Sequence, residues 1–252
     1  MAILLVPSQF ASIAAAVAAA TAGDTIHLEA GYAGNEAATV TVGNLVVDGP
    51  SSVANVTLTL AAGVSSITLT GGANIDVRGN GGPNSITGNA GDNDLRGNAG
   101  NDTLNGGGPV GVAADDDWAD YAGAGGAVKV TLTDISNGHT GGFSTGADGN
   151  DTLVDIENLR GGDFADTLTG NAENNHLRGG AGADTLIGGG HTGGGEAGAS
   201  GDWADYRGAS GSVRVTLTDG TGGPTGGFST GADGADTLID IQFSSSPRPE
   251  CF

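Results

Sequence analysis

The sequence has a single cysteine, Cys251, next to its last residue. One thiol cannot form an internal disulfide, so a disulfide scaffold is excluded. Aromatic residues make up 4% of the chain, too few for the thick core of a conventional domain of 252 residues. Basic residues are also scarce: 8 Lys and Arg stand against 29 Asp and Glu, for a formal net charge of −21. Nucleic acids and anionic membranes both require clustered Lys and Arg, so neither is expected as a partner. No run of about 18 apolar residues occurs, which excludes an ordinary membrane-spanning helix. The apolar start Met1-Ala-Ile-Leu-Leu-Val has no basic residue ahead of it, the first being Arg78, so an ordinary signal peptide is not expected.

What the chain has in quantity is glycine, 50 residues, and small or β-branched apolar side chains. That mixture suits a thin repetitive structure whose core is one or two side chains wide. The excess of carboxylates reads either as a solvated acidic surface, or a disordered chain, or as a set of ligands for a cation. Fixed spacing decides between these readings.

Residues 1–78 form the first zone. Ser8 is placed to cap a helix running through Phe10, Ile13 and Val17 and stopping at Gly23. Short β-branched runs follow, Asp24-Thr-Ile-His-Leu, Ala38-Thr-Val-Thr-Val, Asn44-Leu-Val-Val, Asn55-Val-Thr-Leu-Thr-Leu and Ser66-Ile-Thr-Leu-Thr, separated by Gly, Asn, Ser or Pro. They read as short strands of a coiling sheet. A helix, then Ala-Gly-Asp-Thr-Ile, then repeated short strands resembles the N-terminal cap of right-handed parallel β-helix proteins. The end of such a coil exposes strand edges and an apolar cross-section, so a lid is physically required.

Residues 79–105 are three tandem nonapeptides, beginning at Gly79, Gly88 and Gly97. Residues 161–190 hold a second block beginning at Gly161, Gly170 and Gly179, which matches the first at an offset of 82. A larger unit occurs twice, in 106–160 and 191–242. Asp117-Trp-Ala-Asp-Tyr recurs as Asp202-Trp-Ala-Asp-Tyr, and Val128-Lys-Val-Thr-Leu-Thr-Asp as Val213-Arg-Val-Thr-Leu-Thr-Asp, at an offset of 85. Isolated nonapeptides start at Gly146 and Gly231. The stretches 106–113 and 188–201 read as surface loops, and 243–252 as an irregular tail.

The nonapeptides follow G-G-x-G-x-D-x-U-x, a calcium-binding β-helix pattern. Leading glycines permit a tight turn with positive φ and leave main-chain carbonyls bare to face an ion; Gly97, Ala99, Gly100, Gly179, Ala181 and Gly182 are the candidates. The sixth residue adds a carboxylate: Asp102, Asp151, Asp166, Asp184 and Asp236. At Asn84, Asn93 and Asn175 the sixth position is uncharged, so weaker sites are expected there, with Asp92 and Asp94 placed to assist near Asn93. The eighth residue, at Ile86, Leu95, Leu104, Leu168, Leu177 and Leu186, is apolar and points into a narrow core. Two nonapeptides make one coil, so residues eighteen apart stack: Asp166 on Asp184, Asn84 on Asp102. A hard cation between stacked turns would take several oxygens, which suits Ca2+ better than Mg2+. The bland alternative is an asparagine-ladder β-helix that needs no ion.

These nonapeptides resemble the RTX, or hemolysin-type calcium-binding repeat, family. The resemblance implies an all-β parallel β-helix or β-roll solenoid with several bound Ca2+ ions, folding driven by calcium, and export by a signal-peptide-independent type I route to the outside of the cell. The tail Ser-Pro-Arg-Pro-Glu-Cys-Phe departs from the C-terminal export signal of that family.

Elsewhere, the duplicated Asp-Trp-Ala-Asp-Tyr offers either an aromatic platform for a sugar ring or an anchor in which Trp118, Tyr121, Trp203 and Tyr206 fix a strand over the loop. His27, His139, His176 and His191 show no transition-metal spacing, and His176 is expected to be solvated. No nucleophile elbow, triad order or phosphate loop is present. The chain therefore reads as a secreted calcium-binding solenoid with a structural, adhesive or end-to-end self-assembling role, with calcium, a further copy or surface polysaccharide as partners. The alternatives are a carbohydrate-active β-helix enzyme of the lyase or epimerase kind, and ice binding through Thr-x-Thr ladders.

Overall fold

The computed structural model describes residues 1–108, 116–135, 140–189, 201–218, 226–241 and 243–245. Most of the two glycine-rich loops, His139, His191 and the tail with Cys251 lie outside the described residues. The described residues are all β with one short helix. It begins with β1 (Ile3–Val6), passes through α1 (Ile13–Ala19), and continues in β2 (Thr25–Leu28), β3 (Glu36–Val40), β4 (Leu45–Gly49), β5 (Val56–Leu60), β6 (Ser66–Gly71) and β7 (Ile75–Arg78). The first nonapeptide block supplies β8 (Ser85–Thr87), β9 (Asp94–Arg96) and β10 (Thr103–Asn105). The first large unit gives β11 (Trp118–Asp120), β12 (Val128–Asp134), β13 (Thr140–Gly146), β14 (Thr152–Val154) and β15 (Asn158–Arg160). The second block gives β16 (Thr167–Thr169), β17 (His176–Arg178) and β18 (Thr185–Ile187), and the second unit β19 (Trp203–Asp205), β20 (Val213–Thr218), β21 (Gly226–Gly231), β22 (Thr237–Ile239) and β23 (Phe243–Ser245).

These strands build two facing sheets of a parallel solenoid. One has 14 strands in the order β1-β2-β4-β6-β8-β10-β14-β13-β12-β16-β18-β22-β21-β20, and the other 9, running from β3 through β5, β7, β9, β11, β15, β17 and β19 to β23. Each coil gives one strand to each sheet, so consecutive nonapeptides alternate sides and residues eighteen apart stack. Ile86 lies on Leu104, Leu168 on Leu186 and Leu159 on Leu177. All six eighth-position residues are 0% exposed.

The core tapers. β5 buries Val56, Leu58 and Leu60, while each three-residue nonapeptide strand buries one apolar side chain. The nonapeptide coils therefore gain little from hydrophobic burial while still bearing the entropy of an ordered backbone. Hydrogen bonds, and any bound ion, carry more of the load there.

The helix differs from the sequence expectation. Ser12, not Ser8, is its N-cap: Ser12 is extended at φ −152 and ψ 161, and its Oγ accepts a hydrogen bond from the Ala15 N–H. Ser8 sits in the turn after β1, where its N–H donates to Glu29 Oε2 at 2.7 Å. The Glu36 carboxylate takes the N–H groups of Ile13 and Ala14, which completes the cap from a different coil. The helix ends at Ala19, before Gly23, and buries Ile13, Ala16 and Val17. The second expected strand, Ala38-Thr-Val-Thr-Val, also shifts, beginning at Glu36 and ending at Val40.

Each large unit inserts an antiparallel hairpin into the first sheet, β12–β13 and β20–β21. The first hairpin is clamped on both sides, β13 pairing with β14 and β12 with β16.

Candidate metal centre

The sixth position of each nonapeptide lies at a turn between the sheets, and its side chain folds back under the coil. Stacking then links successive layers in one pattern: the main-chain N–H of a sixth residue donates to Oδ1 of the carboxylate in the next layer. Asn84 donates to Asp102 at 2.7 Å, Asp102 to Asp151 at 2.9 Å, Asp166 to Asp184 at 2.8 Å and Asp184 to Asp236 at 3.0 Å. The N–H of Val128, at the start of β12, does the same to Asp166 at 2.8 Å. Two carboxylate ladders result, Asp102–Asp151 and Asp166–Asp184–Asp236.

The second oxygen of each carboxylate separates the sites. In Asp151 and Asp236 it accepts from the hairpin hydroxyls of Ser144 and Ser229, at 2.8 and 2.7 Å. In Asp166 it accepts from the N–H of Gly162 at 2.7 Å. In Asp102 and Asp184 Oδ2 is buried with no hydrogen-bond partner. These two nonapeptides share a turn of their own. Their second and fourth residues, Asn98 with Gly100 and Gly180 with Gly182, all have positive φ. The carboxylate lies over its own leading glycine: a Cβ on Gly97 or Gly179 would stand 2.1 Å from Oδ2. The glycine thus holds open the space that the orphaned oxygen faces.

Asparagine at the sixth position behaves differently. Its Oδ1 accepts from the second residue of its own nonapeptide, as in Asn80 to Asn84 and Asn171 to Asn175, both at 2.8 Å. Its Nδ2 donates to a carbonyl of the preceding layer, Asn84 to Val64, Asn93 to Ile75 and Asn175 to Glu157. The amide closes by itself the gap that a carboxylate leaves open. Asp92 is exposed, and Asp94 points to the outer face of the second sheet, where Arg160 Nη1 donates to it at 2.9 Å. Ala99 and Ala181 stand at exposed turn tips, while Gly97 and Gly179 are buried.

The sequence reading missed Asp117 and Asp202. Each is buried, and their Oδ1 atoms accept from the N–H of Asn93 at 2.8 Å and of Asn175 at 2.9 Å. They are sixth-position carboxylates on the opposite side of the coil. The signal was available, since Asp-Trp-Ala-Asp fits the D-x-U-x end of the nonapeptide with Ala119 and Ala204 as the inward residues. Asp148 and Asp233, also buried, flank the ladders at the third position of the isolated nonapeptides. The duplicated Trp–Tyr pairs do not act together as strand anchors. Tyr121 and Tyr206 are buried, whereas Trp118 and Trp203 face outward.

Electrostatics follows from burial. Desolvation, reinforced by Asp151 and Asp148, raises the Asp102 carboxyl to about 6. Desolvation with Asp236, Asp166 and Asp233 raises Asp184 to about 7. Asp202 rises to about 7, chiefly by desolvation. Among the described residues no three carboxylate, imidazole or thiol groups form a cluster that would hold a metal by themselves. The available donors are instead a carboxylate oxygen per layer with main-chain carbonyls around it, an all-oxygen set that fits a hard cation of high coordination number.

A family model described as the RTX calcium-binding nonapeptide repeat matches residues 78–108 and 160–190, in four copies. The chain carries RTX calcium-binding nonapeptide repeats. Calcium, bound at several repeats, is the ion of that family. No curated protein matches the chain. The orphaned oxygens of Asp102 and Asp184 fall inside the two RTX segments, and so do all three self-closing asparagines.

A pH dependence follows. Asp102 and Asp184 have folded-state pKa values above the ordinary 3.8, so between these values the folded chain holds more protons than the unfolded one. Their contribution without calcium is therefore present at acid pH and is lost as pH rises through 6 and then 7. Calcium binding needs the ionised form and runs the other way. Stripped of metal on a chelating resin, the chain is expected to melt at its highest temperature near the acid end of a pH 4 to 8 series, and in saturating calcium near the neutral end. Thermal melts followed by circular dichroism check this. Parallel trends in the two series would refute it.

Proposed function

We propose that this RTX chain is a calcium-folded structural module that works outside the cell, in an adhesive or self-assembling role. The reading rests on one observation: the buried, unpartnered Oδ2 atoms of Asp102 and Asp184, repeated at equivalent places in the two blocks. A buried ionised oxygen with no donor is costly, and calcium in the extracellular range removes that cost. On this reading the ions sit beside Asp102 and Asp184, with further carboxylates from the ladders and with carbonyls of the leading residues.

RTX repeat proteins are typically secreted, and no described helix is long and apolar enough to cross a membrane. A type I route belongs to the same proposal. The repeat family is generally one of calcium-binding structural modules, which supports a non-catalytic role.

Native mass spectrometry in about 1 mM calcium is expected to show at least two ions retained per chain, and to give the oligomeric state in the same spectrum. A folded chain that retains no calcium would remove the reading.

A further inference from the structure

The chain is poor in basic residues, yet five of its 8, Arg78, Arg96, Arg160, Arg178 and Arg207, gather on or beside the outer side of the second sheet. Register explains how. Ninth-position residues stack in one column, where Arg78 lies beside Arg96, Asp120 beside Arg160, and Arg160 beside Arg178. Seventh-position residues form the next column, where Trp118 lies beside Asn158 and His176 beside Trp203.

The rings of the seventh column meet each other. Trp118 and His176 have centroids 6.3 Å apart at an interplanar angle of 70°, and His176 and Trp203 are 5.8 Å apart at 51°. Arg160 Cζ stands 5.2 Å from the centre of the Trp118 ring. His176 is thus not simply solvated, as its outward position suggests, but sits between two indoles. Strands about 4.8 Å apart make this a row on the order of 14 Å long from Trp118 to Trp203, which suits a polymer better than a single small molecule.

The ninth column repeats a clasp. Asp120 is held by Arg96 and by Arg160, the latter at 3.4 Å, and Asp205 by Arg178 and by Arg207, the latter at 2.9 Å. In each clasp the carboxylate is the inner member. The Asp205 side chain is 1% exposed and that of Arg207 60%. The charge offered to a ligand is therefore the guanidinium. Five arginines here stand against Asp76, Asp94, Asp120 and Asp205 on the sheet itself, with Asp148 near Arg96 and Asp233 near Arg178, on a chain whose net charge is −21. On the first sheet the matching outward positions hold neutral Thr103, Thr152, Thr167, Thr185 and Thr237.

We propose that this row binds an acidic polysaccharide, a polymer of uronic-acid rings, with sugar faces laid on Trp118, His176 and Trp203 and carboxylates on the guanidiniums of Arg178 and Arg207. Aromatic faces take the apolar side of a sugar ring, and Arg pairs with a carboxylate in a bidentate fork. The inference names a partner for the module and rests on its folding in calcium.

Both tryptophans of the chain lie in the row, so selectively excited tryptophan fluorescence reports on it. The calcium-loaded chain is titrated with hexagalacturonate and, separately, with neutral maltohexaose at constant calcium. Hexagalacturonate is expected to give a saturable change, and maltohexaose none. Trp203→Ala and Arg207→Ala remove exposed groups and are expected to weaken binding about tenfold each. An unchanged affinity in both variants, or equal responses to the two sugars, overturns the proposal. Far-UV circular dichroism in the same cell separates two failures. A folded chain that does not bind overturns this inference, and a chain that does not fold in calcium overturns the calcium reading and the inference with it.

Discussion

Removing calcium is expected to unfold the chain from the first nonapeptide block onward and to leave the N-terminal coils standing. The reason lies in the taper of the core. In the coils before residue 79, strands of four to six residues bury up to three apolar side chains each, as Val56, Leu58 and Leu60 do in β5. None of the orphaned carboxylate oxygens lies there. From β8 on, each three-residue nonapeptide strand buries one apolar residue, although the hairpin strand β12 buries three, and Asp102 and Asp184 place unpartnered oxygens in the interior. A solenoid holds together by contacts between neighbouring coils, so one part can melt while another stays folded. With the ion withdrawn, the carboxylates repel and the thin coils lose their main compensation. EGTA at neutral pH should remove the larger part of the β signal in far-UV circular dichroism, and calcium should restore it. Limited proteolysis in EGTA should trim the chain to a resistant fragment ending near Arg78. A chain that stays resistant over its whole length without calcium would refute the account.

The second large effect separates the two oxygens of one carboxylate. Asp184 accepts the Asp166 N–H through Oδ1 and leaves Oδ2 bare. Asp184→Asn keeps an acceptor for that N–H and removes the charge. Its new amide resembles Asn84, Asn93 and Asn175, which reach a carbonyl of the preceding layer. Asp184→Ala removes both oxygens and strands the buried N–H. Both variants should lose one calcium ion by mass spectrometry. In saturating calcium, Asp184→Ala should then be less stable than Asp184→Asn by about 1–3 kcal/mol, the cost of an unsatisfied buried donor. Denaturant titration of the two variants measures the difference. Equal stabilities would show that Oδ1 contributes nothing to the stacking, and an unchanged calcium count would remove Asp184 from the ion site.

Much of this was legible in the residues themselves. The nine-residue period places Leu168 under Leu186 and Asp166 under Asp184 without any knowledge of the fold, because a coil of two nonapeptides sets the stacking distance in the sequence. What the period cannot show is who meets whom across an interruption. Trp118 and His176 are 58 positions apart, and they meet only because the β12–β13 hairpin and the strands after it loop out and return to the same sheet. The clasp of Asp120 by Arg160 has the same origin. Asp117 and Asp202 were hidden for a different reason. Tryptophan stands at the seventh position in place of the usual Thr, and alanine at the eighth in place of Leu disguises the register. The helix cap was misplaced because Ser8 and Ser12 are equally good caps locally. The decision between them falls to Glu29 and Glu36 in later coils.

The taper also sets an order of events. The wide coils under α1 contain none of the orphaned carboxylate oxygens and are expected to form without calcium. Each later nonapeptide coil then adds to an existing strand edge by closing a loop of only about two nonapeptides, a short and inexpensive step, while the two hairpin units close longer ones. Folding is therefore a process of growth on a template, in which the first coils fix where it starts and the ion decides how far it runs.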